Sequence, residues 1–297
     1  MGEPSGLVVV DKPAGLTSHD VVARLRRILR TRKVGHAGTL DPMATGVLVC
    51  GVGRGTKLLG HLALDTKAYT ATIRLGATTT TDDAEGELIA SAPASAVTTE
   101  RLTAATDALI GELEQVPSAV SAIKIMGKRA YARVRAGEDV VLAPRSVQVF
   151  RFEPTAIRPL TGGDLLDIDV IVECSSGTYV RALARDLGAR LGVGGHLTAL
   201  RRTRVGPFRI EQAATLDELA ERADPVTLSL PDAVRAAMPV RSVSTGEARE
   251  LAFGRSIPPI GQSGTYAACV VPEGSVIALL EETAERARPV LVFASAG

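Results

Sequence analysis

The sequence has 297 residues, contains no tryptophan, and is only 3 % aromatic. Hydrophobic residues still make up 45 % of the chain, so material for a full core is present. With so few aromatic rings, that core has to be built mainly from valine, leucine, isoleucine and alanine. The length predicts one large domain together with a small one.

Cysteine is also scarce, with three residues that lie far apart at Cys50, Cys174 and Cys269. No pair has the spacing of metal ligands, and the odd number argues against a disulfide framework. Each lies in an apolar, strand-like context. We therefore expect buried reduced thiols in a cytoplasmic protein and no metal site.

Long hydrophobic runs are missing as well. The apolar residues 7–10 are stopped by Asp11, so we expect no signal peptide, and no other run is long enough to span a bilayer. The glycine motifs do not include the G-x-x-x-x-G-K-[ST] pattern of a phosphate-binding loop. Membrane proteins and phosphate-loop nucleotide-binding proteins are therefore not expected.

The net charge is only +1, but it is the sum of segments of opposite sign. The net charges are +5 for residues 1–70, −6 for 71–116, +5 for 117–152, +6 for 178–209 and −5 for 210–297. If the fold gathers the basic segments, one face becomes a site for a polyanion. Any single segment taken alone fits a solvated surface equally well.

Hydrophobic spacing predicts strands and helices that alternate irregularly, which indicates a mixed α+β fold. Residues 76–86 are predicted to be a polar loop, and 239–297 to be a small β-rich module. The first predicted helix starts at the caps Thr17 and Ser18. Further predicted helices cover 99–113, 178–191, 216–222 and 245–253, and predicted strands cover 6–10, 47–50, 69–75, 139–152, 164–174 and 200–208.

Residues 33–46, K-V-G-H-A-G-T-L-D-P-M-A-T-G, concentrate three glycines, one histidine and one aspartate. Glycine permits backbone conformations closed to other residues, and Pro42 restricts Asp41 to an extended or turn conformation. The segment is therefore predicted to be neither helix nor strand. Two interpretations remain open: a structural turn in which Asp41 bonds local N–H groups, or a rigid turn that presents a catalytic carboxylate.

Several motifs occur in a fixed order along the chain. They are D-K-P-x-G-x-T-S at 11–18, G-H-x-G-x-L-D-P-x-A-T-G at 35–46, K-x-Y at 67–69, P-S-x-x-S-A-x-K at 117–124, S-G-T-Y-V-R at 176–181 and L-R-R-x-x-x-G-x-F at 200–208. This set resembles the TruB-type tRNA pseudouridine synthases, which isomerise uridine 55 in the T loop. The resemblance covers about the first three quarters of the chain, and the last quarter weakly resembles the family's PUA-like RNA-binding module.

The resemblance implies catalytic roles for three residues. Asp41 falls on the catalytic aspartate, Arg181 on the arginine that pairs with it, and Tyr69 on the tyrosine that packs on the target base. Taken alone, Arg181 also fits a surface arginine on a basic helix, and Tyr69 fits a strand aromatic in the core. A nearby arginine favours the charged form of a carboxylate, which suits a base-isomerising aspartate.

The resemblance also implies a set of residues that bind the RNA or its base. His36 falls on the loop histidine that fills the space left by the flipped nucleotide, although alone it fits a local hydrogen-bonding residue. His19, His61 and His196 have no partner pattern and are interpreted as structural. The resemblance also places Lys12 and Pro13 in the motif that supports the site, and Leu200 on an apolar wall for the base. Lys124 and Arg202 belong to basic segments that are predicted to contact the RNA. Tyr179 fits a substrate contact and a core residue equally well, and both interpretations stay open.

The family pattern T-D-T-x-D is altered here. Residues 79–83 read T-T-T-D-D, so Asp83 keeps the last position while Thr80 replaces an acid, and no role is carried onto Thr80.

The resemblance implies an antiparallel-sheet pseudouridine synthase catalytic domain at 1–228, with helices and loops around its cleft. An RNA-clamping insertion is expected at about 115–150, and a PUA-like RNA-binding module at 229–297. The reaction breaks the C1′–N1 bond and joins C5 to C1′ with no net oxidation, so no cofactor is expected. The expected partner is the T-arm stem-loop of tRNA, bound by a monomer.

Two other classes of function stay open. One is a tRNA-binding or folding chaperone with secondary or vestigial catalysis, which would be distinguished by rescue of tRNA refolding by an Asp41 variant. The other is a two-carboxylate glycosidase that uses Asp41 with Asp82 or Asp83. The many arginines and scarce aromatics argue against sugar binding.

Overall fold

The computed structural model describes residues 4–62, 66–118, 124–125, 128–129, 142–270 and 274–293. The chain forms two compact units. Unit 1 comprises Met1–Leu64 with Arg204–Gly297, and unit 2 comprises Asp65–Thr203. Most of the predicted clamp at 115–150 lies outside the described residues. The predicted domain boundary at 228 stays a prediction.

The helices begin and end close to their capping residues. They are α1 Ser18–Ile28, α2 Gly55–Leu58, α3 Thr99–Asp107, α4 Val180–Leu191, the short 3-10 helix Ile210–Gln212, α5 Leu216–Glu221, α6 Leu230–Ala237 and α7 Thr245–Ala252.

The strands pair mostly antiparallel. They are β1 Gly6–Lys12, β2 Val34–Ala37, β3 Thr45–Val52, β4 Thr66–Leu75, β5 Ala77–Thr79, β6 Leu88–Ser91, β7 Gly111–Gln115, β8 Lys124–Ile125, β9 Lys128–Arg129, β10 Arg145–Pro159, β11 Leu166–Ser175, β12 Gly195–Val205, β13 Phe208–Arg209, β14 Leu228–Ser229, β15 Val240–Val243, β16 Tyr266–Val270, β17 Val276–Glu282 and β18 Ala287–Val292.

In unit 1, β1 lies antiparallel to β3, and both faces of this strand pair are buried. Leu7 and Val9 point into one hydrophobic cluster, while Val8 and Val10 point into another that α1 covers. Successive strand residues face opposite sides, so burial of both faces requires an uninterrupted apolar run. This explains why β1 is apolar throughout rather than alternating.

The first helix follows its sequence signals. Thr17 is the N-cap: its hydroxyl accepts from the Asp20 N–H, and the Asp20 carboxylate accepts from the Thr17 N–H, which forms a capping box. Hydrogen bonds from Thr17 hold the pKa of Asp20 below its usual range. Val21 and Leu25 then lie on the buried side against the β1/β3 pair, as their spacing predicts.

The C-terminal part of unit 1 is a four-stranded sheet in the order β15-β16-β17-β18, in which only the β15–β16 pair is parallel. One face packs under α7 in its own cluster with Tyr266 and Leu280. The other face contributes Ala267 and Leu279 to the cluster that also contains Leu7. The prediction of a small β-rich module with one helix is confirmed.

Unit 2 is built on an antiparallel sheet in which β4, β11, β10 and β7 lie side by side. The spacing of Leu166, Ile168, Val170 and Val172 in the sequence predicts that alternate residues of this strand face the core. All four are buried in β11, so the predicted alternation is confirmed. The helix α4 ends at Leu191, and its C-cap Gly192 has a φ of 77°, the left-handed conformation that glycine adopts at helix C-termini.

Two sequence predictions for unit 2 are wrong. The helix predicted over 99–113 ends at Asp107, because residues Gly111–Gln115 pair with β10 as strand β7. The spacing of apolar residues in the predicted helix places Ile110 on its inward side, but Ile110 is 41 % exposed. The predicted loop at 76–86 contains β5, which pairs with β6. In both places, strand pairing with a distant segment overrides the local pattern.

The three cysteines are buried and free, as expected. Among the described residues, no helix is long and apolar enough to cross a membrane. In the same part of the chain, no group of three or more histidine, cysteine, aspartate or glutamate side chains is arranged to hold a metal ion.

Candidate active site

In unit 1, the segment 33–46 is only partly a loop. Val34–Ala37 forms β2, which pairs with β3 and places His36 opposite Cys50, so the prediction of neither helix nor strand is wrong at both ends of the segment. Between the strands, Gly38 has a φ of 80°. Gly46, the second residue of β3, has a φ of 100° and lies directly opposite Lys12. The motif is therefore a short turn between two hydrogen-bonded strands.

The turn that carries Asp41 is hydrogen-bonded to the side chain of Lys12, the last residue of β1. The Lys12 side chain is completely buried, and its ammonium donates to the carbonyls of Pro13, Leu16 and Pro42 at 2.8, 2.7 and 3.1 Å. Pro13 itself is exposed. A buried cation that binds three carbonyls replaces water of hydration with fixed dipoles. Lys12 therefore ties the two motif loops together.

A second contact fixes the turn to the first helix. The Ser18 hydroxyl accepts from the Leu40 N–H at 2.9 Å and donates to the Leu40 carbonyl at 3.2 Å. Both residues are buried. Asp41 follows directly; it is half-buried, and its carbonyl accepts from the Ala44 N–H at 3.1 Å. The aspartate thus lies in a turn whose backbone is bonded on both sides.

His36 is half-buried in β2, and its ring meets the ring of His19 edge to face, with centroids 5.5 Å apart and an interplanar angle of 79°. The contact gives His19 a partner within the fold, and the interpretation of His19 as a structural residue stays a prediction. Sequence spacing does not show this contact, because His19 lies in the first turn of α1 and His36 lies in a strand.

In unit 2, Arg181 is the second residue of α4 and is only 4 % exposed. Its guanidinium donates to the Thr81 carbonyl at 3.0 Å and lies 3.4 Å from the Asp83 carboxylate. Asp83 is buried too, and it accepts from the Thr81 hydroxyl and the Glu85 N–H. The alternative of an exposed surface arginine is wrong.

The neighbouring Asp82 has a φ of 59°, which is uncommon for a residue other than glycine. Burial raises the pKa of Asp82, and the positive charges of Arg185 and Arg181 oppose that rise. The Arg185 guanidinium lies 3.3 Å from the Asp82 carboxylate. The turn 81–83 is therefore held by two arginines that are one helical turn apart on α4.

Other members of the predicted set in unit 2 lie on strands or at helix ends. Tyr69 is 6 % exposed in β4, opposite Val172. Tyr179 is the half-buried N-cap of α4. In β12, Leu200 and Arg202 are buried, so Arg202 does not present a free surface cation. Lys124 lies in β8, opposite Arg129, and its side chain is outside the described residues.

Comparison with known proteins identifies the chain. A model of the TruB family pseudouridylate synthase N-terminal domain matches residues 26–180. Models described as the tRNA pseudouridylate synthase B C-terminal domain and as tRNA pseudouridine synthase II, C terminal, match 181–230 and 238–294. The chain belongs to the TruB family.

TruB relatives match almost the whole chain. A tRNA pseudouridine synthase B of Rhodococcus jostii is 63 % identical over 97 % of this chain and 93 % of its own length. One of Nocardia farcinica is 61 % identical over 98 % and 94 %. Among solved structures, a chain of the archaeal box H/ACA sRNP Nop10-Cbf5 complex has a TM-score of 0.72 and 25 % identity, over 99 % of this chain and 87 % of that one.

The TruB motifs include Asp41, Tyr69 and Arg181, and they also include Lys12 and Ser18, which bond the loop around Asp41. They do not include Gln115, which lies at the start of the expected clamping insertion and outside every predicted strand. Gln115 instead ends β7 and is only 2 % exposed. The available signal is the alternation G-E-L-E-Q, in which two glutamates face solvent and Gln115 follows Leu113 on the other face.

Proposed function

We propose that this chain isomerises uridine to pseudouridine at position 55 in the T loop of tRNAs. Its TruB membership makes it a pseudouridine synthase, which is an isomerase. The observation that carries the proposal is the match to tRNA pseudouridine synthase B proteins at about 60 % identity along nearly the entire chain. The T-loop position rests on the resemblance of the motifs.

We propose Asp41 as the catalytic carboxylate. The reaction breaks C1′–N1, turns the uracil, forms C5–C1′ and finally releases the C5 proton, while N1 becomes protonated. A carboxylate that acts on C1′ or on the base has to be held in place, because misplacement by about 1 Å can cost on the order of 100-fold in rate. The bonds from Lys12 and Ser18 to the loop around Asp41 support that role.

Arg181 and Tyr69 are proposed as the other active-site residues. Arg181 is buried on a helix and paired, which suits a fixed positive charge rather than a mobile surface contact. Its pairing with Asp41 stays a prediction. Tyr69 is proposed to pack on the target base, since stacking a base on an aromatic ring contributes about 1–3 kcal/mol.

The uridine has to leave the RNA stack before its glycosidic bond can be reached. We propose that His36 fills the space that the flipped nucleotide leaves. Support comes from its position in β2, immediately before the turn that carries Asp41. Tyr179, Leu200, Arg202, Lys124 and Pro13 remain proposed contacts of the RNA or the base. The enzyme is further proposed to act as a cytoplasmic monomer, with 229–297 as an RNA-binding module.

The test is release of tritium from tRNA that carries uridine labelled at C5. Asp41→Asn is expected to bind tRNA normally and to lose activity by on the order of 1,000-fold or more, as expected when a residue that performs the chemistry is removed. The control is Asp217→Asn, which removes an exposed carboxylate at the start of α5. Normal release by Asp41→Asn would refute the role of Asp41, and no release by the parent chain would refute the function.

A further inference from the structure

The side chain of Gln115 makes two hydrogen bonds to the backbone of one residue in unit 2. Its amide nitrogen donates to the Tyr179 carbonyl at 3.1 Å, and its amide oxygen accepts from the Tyr179 N–H at 2.8 Å. Gln115 is 2 % exposed. A buried primary amide can bond both the N–H and the carbonyl of one residue. It then makes the same two hydrogen bonds that a residue of a neighbouring strand would make.

These bonds fall at the start of α4. Tyr179 is the N-cap of that helix, yet its own side chain does not cap it. The helices α1, α5 and α7 instead use a threonine or serine N-cap with an acidic partner. Here the N-cap residue is held by a glutamine that lies 64 positions earlier in the chain. Arg181 follows two residues after this N-cap. The position of the Tyr179 backbone therefore fixes the point from which the Arg181 side chain leaves the helix.

The helix α4 also bonds Val116, the residue that follows Gln115. The Arg185 guanidinium donates to the Val116 carbonyl at 2.8 Å and also lies beside Asp82. Because Arg181 binds the adjacent Asp83, the end of β7, the first turns of α4 and the turn 81–83 form a closed set of contacts. Within this set, the side chain of Gln115 bonds the backbone of α4 at its N-cap, Tyr179.

We propose that Gln115 is a positioning residue for the isomerisation, which holds the N-terminal turn of α4 and thereby the guanidinium of Arg181. This inference rests on the proposed function. Gln115 itself need not touch the substrate. The effect of Gln115 should appear in the rate of the chemical step. A displaced Arg181 guanidinium changes the placement of charge in the active site more than it changes the affinity for the whole tRNA.

Gln115→Met tests the proposal, since methionine is similar in length and volume but cannot make either bond. We expect kcat to fall by about 10- to 100-fold while KM changes by less than about threefold. The control is Gln212→Met, which removes the bond from the Arg209 N–H to an exposed glutamine at another helix start. A kcat within about twofold of the parent, or a change in KM alone, would overturn the proposal.

Gln115→Glu provides a second variant if methionine prevents folding. A protonated glutamate both donates and accepts, whereas its carboxylate repels the Tyr179 carbonyl, and burial favours the protonated form. We expect its kcat, relative to the parent, to rise by at least about threefold from pH 8 to pH 6. A ratio that does not change with pH would contradict the proposal.

Hydrogen exchange in the free protein gives a readout that does not depend on activity. Amides in the first turn of α4 should exchange faster in Gln115→Met than in the parent, with no such change in Gln212→Met. Unchanged exchange at α4 would overturn the anchoring role. If the parent chain forms no pseudouridine, the proposed function fails, and exchange at α4 then decides on its own whether Gln115 anchors the helix.

Discussion

At the scale of single residues, Lys12 shows how a charged side chain becomes part of a rigid loop. It is the last residue of β1, the strand that runs beside β3, and it is fully buried. Lysine is almost never fully buried unless it is paired. The three carbonyls that it binds come from its own loop and from the Asp41 turn, so a single ammonium fixes the separation of two motif segments.

Lys12→Met should therefore weaken both the fold and the reaction. Three carbonyls lose the buried ammonium that donates to them, and we expect the free energy of unfolding to fall by about 1–3 kcal/mol. Urea unfolding and tritium release from C5-labelled tRNA measure the two effects. The matched control is Lys57→Met, because Lys57 is exposed and bonds only the Val292 carbonyl, at 3.4 Å, among the contacts described for it. Equal losses of stability and activity in Lys12→Met and Lys57→Met would contradict the role of Lys12 in joining the two loops.

At the scale of elements, the C-terminal sheet holds one of its own loops by a carboxylate. Glu282 ends β17, and its side chain is 5 % exposed. It accepts from the N–H groups of Ile260, Gly261 and Gln262 at 2.8 to 3.1 Å and from the Tyr266 hydroxyl. Burial alone would raise the pKa of Glu282, but these donors hold it below the usual range. Burial and Glu282 raise the pKa of Tyr266 to about 12.

The lowered pKa of Glu282 predicts a pH-dependent contribution to stability. A carboxylate with a lower pKa in the folded state stabilises the fold above the usual value of 4.5, and this stabilisation is lost as the pH falls through the folded value. Glu282→Gln should thus lower the thermal midpoint at pH 7, with a difference from the parent that shrinks below about pH 4.5.

Thermal unfolding between pH 7 and pH 3.5 measures this difference. The control is Glu285→Gln, which changes an exposed glutamate in the turn between β17 and β18. If the thermal midpoint of Glu282→Gln differed from that of the parent by the same amount over the whole pH range, this result would argue against a stabilising role of the Glu282 carboxylate bonds.

At the scale of the whole molecule, the net charge of +1 hides segments of opposite sign. Residues 1–70 carry a net charge of +5, and Arg24 and Arg27 of α1 are exposed and lie off its buried stripe. Residues 210–297 carry −5. Binding to phosphates releases counterions, so the proposed tRNA binding should weaken steeply as salt is added.

The double variant Arg24→Gln with Arg27→Gln should bind tRNA more weakly than the parent. The slope of log K against log salt should become shallower by about one for each phosphate that is no longer neutralised. Binding measured at several salt concentrations provides the test. Arg158→Gln is the control, because this exposed arginine of β10 pairs with Asp169 and lies outside α1 and outside the proposed RNA-binding module. An unchanged slope in the double variant would exclude α1 from the RNA interface.

Local sequence rules predicted the elements where neighbouring residues decide the outcome. The start of α1 at Thr17, the alternation of β11 and the C-terminal β-rich module all follow from caps and periodicity. They failed at 107–115, where a helical pattern continues past the end of α3 into a strand. A helical pattern cannot reveal that β10, some 30 residues later, offers a pairing edge.

The sequence by itself determined the family, the mixed α+β class and the identity of the proposed catalytic residues, because the motifs are contiguous stretches whose side chains are readable in order. Only the tertiary structure decided what holds those residues. Gln115 meets Tyr179, Lys12 meets Pro42, and Arg181 is buried against Asp83. Each contact joins residues distant in sequence, and hydrogen bonds and burial depend on distances that only the folded chain creates.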